Sequence, residues 1–430
     1  MKSLKGRMSP RLAWGLYDWA DSAFVTTIVA AVLPVYFASV VCGGSAEVSF
    51  RLLFWDVSGS PTSLWGYAAS IAALLVAVAS PVAGALADAG GRRKVWLASS
   101  AALGIASSAM LSLSGPGTVL YTLAFLAVGE VGFSGAQVFY NSLLGDVSRS
   151  AGERDSVSSG GFALGYLGGG LLLALNTLMI ARPGMFGLAD AAAASRAGFA
   201  TVAVWWAVFS IPLFLFVHEG GPAGRARGSL REAAGMLAGT ARDVMSRRDL
   251  RLFLIAFLLY NDGIQTVILM ASVYGKSDLG LDTSSLVGAL LVTQIVGVPG
   301  SLGFGRAAGR IGARKALLGG IAAYLAIVLL ASGMDDSADF MVLAVLVGLF
   351  QGGMQAVSRS FFSRLVPPGR NAEYFGFFSV STRFASIFGP LLFALVRDVT
   401  GEGRAAILAV AVLFLAGGAV LSFVRDPEVV

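Results

Sequence analysis

The stretch Gly84-Ala-Leu-Ala-Asp88-Ala-Gly-Gly91-Arg92-Arg93-Lys94 separates two long apolar runs, and a degenerate copy, Gly305-Arg-Ala-Ala-Gly309-Arg-Ile-Gly312-Ala-Arg314-Lys315, separates two more at an offset of 221. Gly91 permits a tight turn between spans. Arg92, Arg93 and Lys94 belong at lipid headgroups, where they hold the topology. Asp88 either pairs with these bases or faces a helix N-terminus of the other half, with Gly84 beside it, and such a contact opens and closes as the halves rock. Two more matches fall at nearly the same offset, one at 218 and one at 221. Gln137 precedes Asn141-Ser142-Leu143-Leu144 as Gln355 precedes Arg359-Ser360-Phe361-Phe362, and Leu167-Gly168-Gly169-Gly170-Leu171 matches Phe388-Gly389-Pro390-Leu391. Three matches six spans apart indicate a parallel six-plus-six repeat, with the binding site near the midplane between halves.

Composition agrees. Of 430 residues, 56% are hydrophobic and 13% charged, about half the ~25% charge of a soluble chain. Such a chain cannot cover a soluble surface, and disorder is excluded by its apolar content. The length accommodates about twelve membrane helices. The expected class is all-α integral membrane, with spans at 13–40, 62–87, 95–113, 118–145, 158–181, 198–217, 252–275, 284–306, 316–334, 339–363, 373–396 and 405–424. The first run is too long for a signal-peptide core and carries Asp18 and Asp21, so it is read as a span. The alternation of an outer-membrane barrel is missing, so strands are not expected. One cysteine and one histidine leave no material for a disulfide or a Cys/His metal cage.

With the N-terminus inside, cytoplasmic segments hold 23 Lys/Arg and external ones 6, with Arg359 and Arg383 inside spans. The positive-inside rule therefore places both termini in the cytoplasm, the membrane being a cytoplasmic (inner) one. The net charge of +6 is topological and implies no nucleic acid. The expected division is 1–217, a six-helix half; 218–251, a linker; and 252–430, the second half. Within the linker, Leu230, Ala234, Leu237, Ala241 and Val244 fall at helical spacing, as in an amphipathic surface helix.

Ionisable groups inside spans cost ~2.5–3.5 kcal/mol and should face a cavity or a partner. Glu130, Ser134, Gln137 and Asn141 form one helical stripe in span four; Gln351, Gln355 and Arg359 form another in span ten. Asp18 and Asp21 are neighbours in span one, and Asp262, Gln265 and Thr266 in span seven. Glu130 and Asp262 lie near mid-span, where burial disfavours a charged carboxylate, so both are proton-coupling candidates. Arg383, with Ser379 and Ser386 on its face, keeps its charge and needs an anion: Glu130, Asp262 or a substrate carboxylate. Arg359 lies nearer the cytoplasmic end and either snorkels or gates. Asp18 and Asp21 are expected to gate with Arg359 or Arg370. Two carboxylates alone make a poor cation site, so no metal is expected. Asp146 and Glu153 are expected to pair with Arg149 and Arg154, and the Gly168–Gly170 and Gly389-Pro390 runs to bend their helices.

The Gly84 stretch resembles the signature loop of the major facilitator superfamily, with Ala89 in place of the usual base. Trp14-Gly-Leu-Tyr17-Asp18-Trp19-Ala-Asp21-Ser22-Ala-Phe24, Tyr260-Asn261-Asp262-Gly263-Ile-Gln265-Thr266, Gly352-Gly-Met-Gln355-Ala-Val-Ser358-Arg359-Ser360 and Pro367-Pro-Gly-Arg370-Asn-Ala-Glu373-Tyr-Phe-Gly376 resemble one branch, the "unknown major facilitator" family. That family includes the fungal autophagy-related vacuolar effluxer of amino acids. Its span-one pattern has Asn where this chain has Asp21. The resemblance implies a cavity lined by spans one, four, seven and ten, which are the spans bearing the polar stripes. It implies efflux of an amino acid or similar solute by alternating access, without a cofactor or an obligate protein partner, and the mid-span acids Glu130 and Asp262 add the expectation of proton coupling. Substrate contacts would then come from Arg383, Gln137, Asn141, Gln265, Asn261, Gln351 and Gln355. A carrier of lipid, peptide or muropeptide, or a non-transporting sensor, remains an alternative. An enzyme is excluded: H-E-x-x-H, G-x-S-x-G, a P-loop and G-x-G-x-x-G are all missing.

Overall fold

The computed structural model describes residues 8–52, 54–150, 152–220, 230–277, 279–385 and 388–426. Among these residues twelve helices are long and apolar enough to cross a membrane: Pro10–Val41, Pro61–Gly90, Arg93–Leu111, Val119–Ser142, Glu153–Ala181, Ala191–Phe216, Arg248–Lys276, Ser284–Ile311, Ala313–Ala331, Ser337–Leu365, Asn371–Thr400 and Gly403–Ser422. They are spans one to twelve, and each coincides with an expected span to within seven residues at either end. A helix also runs over Leu230–Ser246 in the connection between spans six and seven. Its Leu230, Ala234 and Leu237 side chains fall outside the described residues; Val244 and Thr240 are buried.

One element departs from the all-helical expectation. Strands β1 (Val48–Leu52) and β2 (Trp55–Gly59) form an antiparallel hairpin between spans one and two, with Leu52 opposite Trp55. The segment alternates apolar and polar side chains over only five residues per strand, so it is invisible to a search for membrane-length runs.

The two halves pack through span two against span eleven and span five against span eight. Glycine permits these approaches. A Cβ on Gly84 would lie 2.3 Å from the carbonyl oxygen of Ala372, so the signature loop needs a glycine there to meet span eleven. The Gly168–Gly170 run lies within the continuous helix Glu153–Ala181. Its glycines serve close packing, a Cβ on Gly168 falling 2.4 Å from the Trp19 carbonyl oxygen. Span eleven is interrupted just before the Gly389-Pro390 pair, which itself lies in the first turn of the second helix. It consists of the helices Asn371–Phe384 and Phe388–Thr400, and Ala385 leaves helical geometry at ψ 17°.

Gly84→Val should wedge spans two and eleven apart, costing about 1–3 kcal/mol. Thermal unfolding in detergent should show the loss, and a variant as stable as the parent would contradict the packing described.

Candidate functional site

A cavity of about 820 Å³ lies between the halves. Spans one, two, four, five, seven, eight, ten and eleven contribute to its wall, and spans three, six, nine and twelve do not. The polar stripes converge there: Asp18, Asp21, Gln137, Asn141, Asn261, Gln265, Gln351, Gln355, Arg359 and Arg383 all line it. The helical spacing that aligned each stripe in sequence is what turns these side chains inward together.

The end of the cavity nearest the basic loops is closed by contacts between the halves. Arg359 of span ten enters the first half, where its side chain is 4% exposed and meets Asp18 at 3.3 Å, itself 8% exposed. Its remaining donors are satisfied. Nε donates to the Ser158 hydroxyl at 2.8 Å, one terminal nitrogen donates to the Asn141 carbonyl at 3.0 Å, and the other to the Ser158 backbone carbonyl at 2.9 Å. The guanidinium also lies 4.7 Å from the Trp14 ring centroid and 4.5 Å from that of Phe162, a cation–π setting. Asp18 accepts a further bond from the Tyr140 hydroxyl at 2.7 Å. Arg359 therefore does not snorkel. The aromatic cage and the carboxylate replace the water it would otherwise seek.

Around this pair sits a ring of further cross-half contacts. Arg364 and the Ser360 hydroxyl bind Asp155. Arg154 donates to the Ser363 carbonyl at 2.8 Å, and the Ser158 hydroxyl to the Ala356 carbonyl at 2.7 Å. Asp88 accepts from the backbone N–H of Glu373 at 2.9 Å, at the first turn of span eleven. Of the two roles open to Asp88, the structure has the contact with a helix N-terminus of the other half, where backbone donors and dipole favour an anion. Gly91 takes φ +58° and ends span two. Arg93 bonds Asp146 at 2.7 Å and the Ser142 carbonyl at 3.0 Å. Burial pushes the Asp146 carboxyl, outside the spans, up from its ordinary range, and Arg93 opposes that shift. Glu153 pairs with Arg11. Arg149 and Arg154 are thus not the ion-pair partners expected for these two acids.

Deeper in the membrane a second pair joins the halves. Arg383 of span eleven meets Glu130 of span four at 3.0 Å, and the two side chains are 26% and 13% exposed. This pair is wetter than Asp18–Arg359 and its cation lines the cavity, so a soluble anion can reach it. Asp262 behaves differently. It is 1% exposed, stands outside the cavity wall, and accepts from the Gly389 backbone N–H at 2.9 Å. It caps the second helix of span eleven at its start, a structural task that the sequence pattern did not suggest. Asp21 accepts from the Gln137 amide at 2.7 Å, and Gln137 in turn accepts from Asn141 at 3.4 Å. Ser386 lies outside the described residues.

The profile of the family described as "Vacuole effluxer Atg22 like" matches residues 9–153 and 145–427. The "Uncharacterized MFS-type transporter YxiO" of Bacillus subtilis is 35% identical over 416 residues, covering 96% of this chain and 94% of that protein. The chain belongs to the Atg22-like branch of the major facilitator superfamily. Autophagy-related protein 22-1 of Aspergillus niger is 29% identical over 286 residues, which is 60% of this chain and 45% of that protein; the match thus spans under half of that fungal relative. Among solved structures the human organic anion transporter MFSD10 (TETRAN) superposes with a TM-score of 0.74 at 17% identity, covering 96% of this chain and 98% of that one. The proton:xylose symporter XylE does so at 0.69 and 16%, covering 97% and 95%. These two share the fold. As an Atg22-like facilitator the protein is a multi-pass membrane transporter and not an enzyme.

The Asp18–Arg359 contact predicts a measurable coupling. Arg359→Ala leaves Asp18 buried without its cation and should cost about 3–5 kcal/mol. Adding Asp18→Asn should recover part of that loss. Unfolding measurements on the two single variants and the double variant test this, and strictly additive losses would contradict a direct contact.

Proposed function

We propose that this facilitator carries a small solute bearing a carboxylate, most simply an amino acid, together with a proton. The observation that carries this reading is the Glu130–Arg383 pair at the cavity wall. One guanidinium serves two carboxylates in turn. When the substrate carboxylate takes Arg383, Glu130 loses its counter-charge in a poorly hydrated wall and takes up a proton. When the substrate leaves, Glu130 returns to Arg383 and gives the proton up. Substrate and proton therefore bind together, and the loaded carrier holds both. Gln137, Asn141, Asn261, Gln265, Gln351 and Gln355 supply neutral hydrogen-bond partners around the solute.

Residues 1–217 and 252–430 act as the two moving halves and 218–251 as the linker between them. The excess of Lys/Arg in the loops after spans two, four, six, eight and ten favours a cytoplasmic position for that end, with both termini inside an inner membrane. In that orientation the Asp18–Arg359 closure with its surrounding ring is the cytoplasmic gate, and Asp88 and Gly84 belong to it. Asp262 acts as a cap and leaves the proton to Glu130. Co-transport also bears on direction. Emptying a vacuole moves solute into the cytosol. The corresponding movement across an inner membrane is uptake, driven by the proton gradient, in place of the efflux that the resemblance suggested.

Proteoliposomes containing a pH-sensitive dye test this. Pooled amino acids should drive a proton flux in the parent. Glu130→Gln should retain substrate exchange while losing at least nine-tenths of the substrate-dependent proton flux. A Glu130→Gln protein with undiminished proton flux would overturn the assignment.

A further inference from the structure

The ionisable groups at the cavity do not balance. Asp18, Asp21, Arg359 and Arg383 line it, and Glu130, the partner of Arg383, adds a third acid against two cations. Arg383 is matched by Glu130 and Arg359 by Asp18, and every nitrogen of Arg359 is occupied by Asp18, Asn141 or Ser158. Asp21 is the acid left over. It is 1% exposed and lines the cavity. One of its oxygens accepts from the Gln137 amide. The other is buried with no hydrogen-bond partner, as is the Tyr17 hydroxyl one turn before it. A buried carboxylate with an unpartnered oxygen, sharing the one nearby arginine with Asp18, is built for a cation.

Spacing limits which cation. Asp21 is held by Gln137 and Arg383 by Glu130, and both holders stand on one face of span four. Seven residues at a rise of about 1.5 Å separate them by roughly 10 Å. A carboxylate and an ammonium each seated about 3 Å from Arg383 and Asp21 would then lie between roughly 4 Å apart, if both sit between their partners, and roughly 10 Å apart, if both sit beside them. In an ordinary α-amino acid two bonds join these charges, a reach of about 2.5 Å at about 1.5 Å per bond. Six bonds separate the carboxylate carbon of lysine from its side-chain nitrogen, an extended reach of about 7 Å.

We propose that the cavity selects a long-chain basic amino acid, with Arg383 taking the carboxylate and Asp21 the distal ammonium. This rests on the reading of Arg383 as the carboxylate site. In the loaded cavity Asp18 pairs with Arg359, the substrate carboxylate with Arg383 and the distal ammonium with Asp21, while the α-ammonium is left to the neutral amide side chains of the wall.

Calorimetric titration of the purified full-length protein with L-lysine, L-norleucine and L-2,3-diaminopropionate tests the proposal. Norleucine keeps the length and lacks the distal charge; diaminopropionate keeps the charge and lacks the length. The parent should bind lysine at least tenfold more tightly than either. In Asp21→Asn the lysine-to-norleucine ratio should fall toward one. Equal binding of lysine and norleucine by the parent, or an unchanged ratio in the variant, would overturn the proposal and leave the carboxylate reading of Arg383 standing. Binding of none of the three would overturn both. The comparison within the parent decides the matter if Asp21→Asn does not fold.

Discussion

A guanidinium enclosed within a membrane protein has to bring its own solvent. Arg359 does so with the Asp18 carboxylate, three neutral acceptors and the faces of Trp14 and Phe162. All of these partners belong to the first half, and the arginine belongs to the second. One ion pair with its hydrogen bonds therefore ties the two halves together at the centre of a ring of further cross-half contacts. Breaking it leaves charges that only water or a new partner can satisfy, so the end it closes opens as a unit or not at all.

The rest of the inter-half surface is arranged around that constraint. Gly84 lets span two come within reach of the Ala372 carbonyl, and Asp88 then reaches the Glu373 N–H. Arg364, Ser360 and Asp155 add a second charged layer beside the first. Glu130–Arg383 lies farther along the cavity and is more exposed. The gradient from dry latch to wetter pair separates two tasks: the dry pair holds a conformation, and the wetter one remains open to exchange with a solute.

Much of this was legible beforehand because the bilayer imposes simple rules. Length and apolarity located the spans, and the helical period aligned Glu130, Gln137 and Asn141 on one face and Gln351, Gln355 and Arg359 on another. What periodicity cannot provide is the partner across a gap. It left Arg383 with three possible anions and Asp88 with two possible contacts, because pairing between spans four and eleven or two and eleven depends on helix packing angles. Asp262 looked like Glu130 in sequence, both being lone acids near mid-span. Only the position of Gly389 opposite span seven turns Asp262 into a cap. Gly168–Gly170 read as a bend because glycine weakens a helix in isolation; its role in the approach of Trp19 depends on packing that the sequence does not display. The hairpin at 48–59 escaped because its strands are too short for any membrane pattern. The excess charge of Asp21 became visible only after every other partner had been assigned.

The central claim is that the halves rock about the cavity under the control of the Asp18–Arg359 contact. It is tested most directly by electron–electron distance measurements between spin labels placed at positions 90 and 369, on the loops after spans two and ten, in a Cys42→Ser background. The account predicts a mainly short distance in the parent and a shift of the population to a longer one when Asp18 is replaced by Asn. A single distance, the same in both proteins, would contradict it.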